Sequence, residues 1–113
     1  MSQETIFSKI LNGEIDCDEV YSDELCLAFR DIEPQAPTHI LIIPRKKIIS
    51  LKELNTNDSE LMGHLMIVTA KIARQEGLET WRTIINTGTD AGQTVFHLHI
   101  HLMGGRAFKW PPG

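Results

Sequence analysis

The chain has 113 residues, room for one domain and not for two. Its 42% apolar and 23% charged content excludes a disordered chain, and a net charge of −4 argues against a DNA, RNA or anionic-membrane binder. No apolar run approaches the ~18 residues of a membrane span, and Met1-Ser2-Gln3-Glu4 lacks the basic start and apolar stretch of a signal peptide. Two cysteines, Cys17 and Cys26, are too few for a disulfide framework and read as reduced thiols of a cytoplasmic protein. A core this small gains stability from oligomerisation.

There is no internal repeat, linker or low-complexity tract, so residues 1–113 read as a single domain. From Thr5 to Leu11, the apolar Ile6, Phe7, Ile10 and Leu11 share one face of a short helix, closed by Asn12-Gly13. Cys17 to Tyr21 and Leu25 to Asp31 read as two strands joined across Ser22-Asp23-Glu24. Pro34 and Pro37 impose an irregular connection. Thr38 to Ile43, rich in β-branched residues and stopped by Pro44, is a strand. Arg45-Lys46-Lys47 reads as a solvated turn.

Asn57 to Glu76 is the long helix. Leu61, Leu65, Val68 and Ile72 form its apolar stripe, Asn57 and Glu60 resemble a capping box, and Gly77 is the stop. His64, beside the stripe, reads as a packing or surface residue. Trp81 to Asn86 and Val95 to Met103 are strands on either side of a glycine-bearing loop, and Gly104-Gly105 ends the second. Early and late strands around one long helix predict an α+β domain with a mainly antiparallel sheet.

The informative stretch is Phe96-His97-Leu98-His99-Ile100-His101-Leu102. On a strand, His97, His99 and His101 share one face, and Phe96, Leu98, Ile100 and Leu102 the other, which is the core side. Three readings of the row compete. One is zinc, but three residues spanning roughly 13 Å cannot easily serve one ion, so a further ligand such as His39 or a thiol is needed. The second is nucleophilic catalysis, in which the central imidazole attacks with one nitrogen free and the other held by an acceptor. The third is a solvated polar face.

The loop Asn86-Thr87-Gly88-Thr89-Asp90-Ala91-Gly92-Gln93-Thr94 runs into this row. Its glycines allow close backbone approach, successive amides can form an anion nest, and Asn86, Gln93 and Thr94 add side-chain hydrogen bonds. An anion cradle beside a nucleophile suggests phosphoryl or nucleotidyl transfer. Asp31 is either a strand-end residue or an acceptor for ribose hydroxyls. His39 is either a packed histidine or a partner of the row from a neighbouring strand.

These residues resemble the histidine triad family. His97-Leu98-His99-Ile100-His101-Leu102-Met103 matches its signature of three histidines alternating with apolar residues. Asp31-Ile32-Glu33-Pro34-Gln35-Ala36-Pro37-Thr38-His39 is similar to its second landmark. Gly92-Gln93-Thr94-Val95-Phe96, Gly104-Gly105-Arg106 and the terminal Trp-Pro-Pro-Gly resemble the nucleotide-binding protein branch, Hint.

The resemblance implies a purine nucleoside phosphoramidase that splits the P–N bond of adenosine 5′-monophosphoramidates without metal or cofactor. It implies His99 as nucleophile, with the His97 carbonyl holding its other nitrogen, His101 on the phosphate and His39 behind the triad. It also implies that Asn86, Gly92, Gln93 and Thr94 bind phosphate, that Thr94 helps protonate the leaving amine, and that Asp31 holds the ribose. Ile6, Phe7, Ile10 and Ile32 would surround the base, and nothing separates adenosine from guanosine. The implied fold is a five-stranded antiparallel sheet with one long and one short helix. Two copies would join into a ten-stranded sheet, with the long helix at the interface and the tail at Trp110 reaching the partner's site. Thr94 stands where the branch usually has Ser, and Lys47 where many members carry His. A dinucleoside polyphosphate hydrolase and a nucleotide-sensing interaction protein are the alternatives the family offers.

Overall fold

The computed structural model describes residues 4–113, so the reading of Met1-Ser2-Gln3 lies outside it. Helix α1 (Ile6–Leu11) starts at a capping box. The Thr5 hydroxyl accepts from the Ser8 N–H, and Ser8 Oγ accepts from the Thr5 N–H at 2.7 Å. Five strands follow: β1 (Glu19–Ser22), β2 (Cys26–Arg30), β3 (Thr38–Pro44), β4 (Trp81–Ile84) and β5 (Ile100–Gly104). They form one antiparallel sheet in the order β1-β2-β3-β5-β4, with helix α2 (Ser59–Gln75) inserted between β3 and β4.

β3 is the middle strand and is covered on both faces, which is why it reads as an unbroken apolar run. Ile40 and Ile42, with Cys26, Ala28, Ile100 and Leu102, pack against Leu65, Val68, Ile72 and Ala73 of α2. Leu41 and Ile43, with Leu27 and Phe29, pack on the other face against Phe7 of α1. The two cores divide by strand alternation alone, and the site lies on the α1 face.

β4 ends at Ile84, two residues before the expected Asn86, and three elements begin two or more residues later than expected. β1 begins at Glu19, two residues after Cys17, and a bulge separates Glu19 from Tyr21. The long helix begins at Ser59, not Asn57, and the Asn57–Glu60 box is not formed. Its place is taken by a 3-10 turn, Thr56–Asp58, capped by Asn55. Asp58 returns a carboxylate to the Asn55 N–H at 3.2 Å while its other oxygen holds Lys46 Nζ at 2.6 Å. At the far end Gly77, at φ +74°, closes a Schellman turn, with Leu78 N–H on Ala73 O and Gly77 N–H on Arg74 O.

The third difference bears on the site. The last strand covers only Ile100–Gly104, so His97 and His99 precede it. Its ladder with β3 runs out after Ile42↔Ile100, where Pro44 has no N–H to give. The preceding residues are tied instead by single bonds to the chain beyond β3, such as Leu98 N–H to Ile48 O at 2.7 Å. Strand alternation therefore fails at Phe96, which is 41% exposed rather than in the core, while Leu98, Ile100 and Leu102 are buried.

Cys17 is half-buried, Cys26 is buried, and both are free thiols. His64 pairs with Asp23 at 2.7 Å, tying α2 to the β1–β2 turn. Among the described residues, no helix is long and apolar enough to cross a membrane.

Candidate active site

A cleft of about 550 Å³ opens on the α1 face of the sheet. Ile6, Phe7 and Ile10 line it from α1, Asp31, Ile32 and His39 from the β2–β3 connection and β3, and Thr94, His99 and His101 from the last third of the chain. Residues far apart in sequence meet here because β3 and β5 are neighbours, with Leu41 opposite His101 and His39 opposite Met103.

The hydrogen-bond partners decide which nitrogen of each imidazole carries the proton. His99 Nδ1 lies 2.7 Å from the carbonyl oxygen of His97. A carbonyl only accepts, so Nδ1 carries the hydrogen and the neutral ring keeps its lone pair on Nε2. Phe7 packs edge-on against this ring, at 5.0 Å between centroids. His97 donates from Nε2 to the Pro44 carbonyl at 2.8 Å, and its Nδ1 is buried without a hydrogen-bond partner among the described residues.

His39 and His101 form a second chain. The Gln35 N–H points at His39 Nδ1 at 3.0 Å, which places the proton of His39 on Nε2. That Nε2 lies 2.9 Å from His101 Nδ1, so His101 accepts there and carries its own hydrogen on Nε2. Asp31 stands beside the pair, one carboxylate oxygen 3.5 Å from His39 Nε2 and the other accepting from the Glu33 N–H at 2.8 Å. Burial keeps His39, His97 and His99 below the ordinary histidine value of 6.5, and burial with the neighbouring rings pushes His101 down to about 4. The four rings are therefore neutral at pH 7.

Asn86, Gly92, Gln93 and the His97 side chain lie outside the cleft wall. Gln93 is 2% exposed and builds the loop: its carbonyl accepts from the Gly88 N–H, and its amide donates to Ile49 O and Val95 O. Gly88 and Gly92 take positive φ, and a Cβ on Gly92 would meet the Asn86 amide at 3.5 Å. The loop delivers Thr94 to the cleft.

Residues that sequence reasoning did not assign to the site include Phe29 and Leu41, on its floor, and Asp16, Cys17 and Gln35 at its edge. Phe29 and Leu41 were detectable from alternation, since they are register partners on the face that carries His101. The other three sit in irregular segments with no periodic signal.

The HIT domain family matches residues 12–108, and the chain belongs to that family. It is 58% identical to an uncharacterized HIT-like protein of Synechococcus elongatus over the whole of both chains. It is 51% identical to a 14 kDa zinc-binding protein of Zea mays, over 96% of this chain and 88% of that one. Among solved structures, a HIT family hydrolase from Legionella pneumophila superposes with a TM-score of 0.95 at 47% identity, covering 97% of this chain and all of the other. A HIT family hydrolase from Clostridium thermocellum gives 0.91 at 38%, over 96% of each.

The maize relative raises the question of zinc. Donor atoms of Asp31, His39 and His101 lie within 4.8 Å of one another, as do those of Asp23, Cys26 and His64. Neither set fits a metal as placed. In the first, the Gln35 N–H forces the proton onto His39 Nε2, the nitrogen that would have to coordinate. In the second, Asp23 already accepts from Leu25 N–H, Cys26 N–H, Tyr21 O–H and His64. There burial and the Asp23 carboxylate push the Cys26 thiol up to about 12.

Proposed function

We propose that this protein is a metal-independent purine nucleoside phosphoramidase, hydrolysing adenosine 5′-monophosphoramidates to AMP and an amine through a nucleotidyl-histidine. The observation that carries the reading is His99, a neutral imidazole whose Nδ1–H is held on a backbone carbonyl, leaving Nε2 as a free lone pair in a cleft that also presents Asp31. The hydrolases among its structural relatives support a hydrolytic reaction.

In this mechanism His99 Nε2 attacks the α-phosphorus, a P–N bond forms to His99, and the P–N bond to the amine breaks. The amine leaves with a proton from the Thr94 hydroxyl. One water then attacks phosphorus and splits the nucleotidyl-histidine, its proton returning to Thr94, which releases AMP and the neutral ring. His101 Nε2–H donates to a phosphoryl oxygen as negative charge develops there, a term of the kind that dominates such reactions. Asp31 accepts from the ribose hydroxyls, and Ile6, Phe7, Ile10 and Ile32 enclose the base. Asn86, Gly92 and Gln93 serve the phosphate through the loop they build.

The reading includes a homodimer. Ile67 is 67% and Met66 44% exposed on α2, and Trp81 is 38% exposed on edge strand β4, apolar positions that a second copy would cover.

The test mixes metal-stripped protein with an adenosine 5′-phosphoramidate of a fluorescent amine, follows amine release, and quenches early for mass spectrometry. Release together with AMP attached to His99 is the expected result. AMP binding without release would overturn the reading in favour of a nucleotide-sensing protein, and faster turnover of diadenosine polyphosphates in favour of a dinucleoside polyphosphate hydrolase.

A further inference from the structure

The loop between Asp31 and His39, which joins β2 to β3, is gripped from outside the cleft by residues that no step above uses. Gln35 gives its N–H to His39 Nδ1. Its carbonyl, on the other side of the same Cα, accepts from Arg106 Nε at 2.9 Å. Arg106 follows the turn that ends β5. Its Nη1 donates to Ala107 O at 2.9 Å, and its guanidinium carbon lies 4.2 Å from the centre of the Phe108 ring. Arg82 stacks on the same ring at 5.1 Å and closes onto the Lys109 carbonyl at 2.9 Å. The turn also abuts Pro37: Gly105 has φ +92°, and a Cβ there would lie 2.9 Å from Pro37 Cβ. The end of β5 thus grips one loop at two points, Gln35 and Pro37.

The consequence reaches the cleft through two rings. With the Gln35 N–H in place, the reversed tautomer of His39 would set two donors against each other, so only the Nε2–H form is allowed. That form gives His101 its Nε2–H. If Gln35 swings away, both rings can reverse together. His101 then turns a lone pair instead of a donor toward the phosphate, which repels the anion it should hold.

We propose that Arg106 is a positioning residue: by holding the Gln35 carbonyl it keeps His39 and His101 in the tautomers that make His101 a hydrogen-bond donor to the phosphoryl group. The turnover arm of its test rests on the phosphoramidase reading, and the spectroscopic arm does not.

The experiment records long-range ¹H–¹⁵N correlations of the histidine rings at pH 7 in the unliganded wild type, Arg106→Met, Arg106→Lys and Phe108→Leu. It pairs them with kcat and KM for the phosphoramidate. The wild type should show a protonated Nε2 and a bare Nδ1 at both His39 and His101. Arg106→Met should show mixed tautomers at those two rings, unchanged signals at His99, and a kcat lower by roughly tenfold with a smaller change in KM. Arg106→Lys keeps a donor for the Gln35 carbonyl and should recover most of both. Phe108→Leu removes only the stacking platform and should move both readouts the same way by less, which keeps the proposal testable if Arg106→Met folds poorly. Wild-type ring signals in Arg106→Met would overturn the proposal, and so would mixed tautomers with unaltered kcat. If the wild type turns over no phosphoramidate, the proposed function fails while the ring spectra still decide the role of Arg106.

Discussion

The carbonyl oxygen of His97 stands 2.7 Å from Nδ1 of His99, two residues further along the chain, and this contact fixes the proton on Nδ1 and leaves the lone pair of the neutral ring on Nε2. Replacing the ring with His99→Ala should cost at least about 10³-fold in kcat/KM while the protein stays folded and keeps AMP binding within tenfold. Steady-state kinetics, circular dichroism and AMP titration on one preparation check this.

The depressed histidines set a pH dependence. Burial makes all four rings take up a proton less readily in the folded state than once released, when the ordinary value of 6.5 applies. Their contribution to stability is therefore full above pH 6.5 and is lost as the pH falls toward the folded-state values, which for His101 means down to about 4. Denaturant titrations should show a stability plateau above pH 6.5 and a decline below it, shallower in His101→Asn. Turnover should fall only at lower pH than stability begins to, since burial holds the folded-state value of His99 below 6.5 and protonated His99 has no lone pair.

Gly104 shows how tightly β5 is seated. A Cβ at this position would lie 2.7 Å from both terminal carbons of Leu78. Gly104→Ala should destabilise by about 1–3 kcal/mol through overpacking, and adding Leu78→Ala should recover part of it. A double-mutant cycle measured by urea unfolding separates the contact from the rest.

Gln93 carries a different kind of load. Gln93→Leu keeps the volume but strands the Gly88 N–H and the Ile49 and Val95 carbonyls, which the amide now satisfies. A loss of about 2 kcal/mol or more is expected, with a raised KM because the loop no longer presents Thr94 as it does.

The dimer is tested at Ile67. Sedimentation should give two copies for the wild type and one for Ile67→Glu, since a charge on so exposed an apolar position cannot enter a dry interface without a partner.

Much of this was legible in the sequence because it follows from periodicity. Thr38 to Ile43 read as a strand, the Leu65, Val68 and Ile72 stripe as the buried face of a helix, and Gly77 as its stop. Each depends on residues a few positions apart. The alternation of histidines with apolar residues also put Leu98, Ile100 and Leu102 in the core, where they lie.

The tertiary structure decided what depends on contacts across the chain. Phe96 keeps to the alternating pattern and still faces solvent, because Pro44, more than fifty residues earlier, ends the ladder it would have joined. The helix start moved to Ser59 because Asp58 is drawn to Lys46 and Asn55. Gln93, polar and glycine-flanked, reads as a ligand for phosphate, yet its amide is spent on Gly88, Ile49 and Val95. A sequence names the imidazoles, but a proton's place on each ring is set by whichever carbonyl or N–H the fold brings to it: His97 for His99, Pro44 for His97, and Gln35, through His39, for His101.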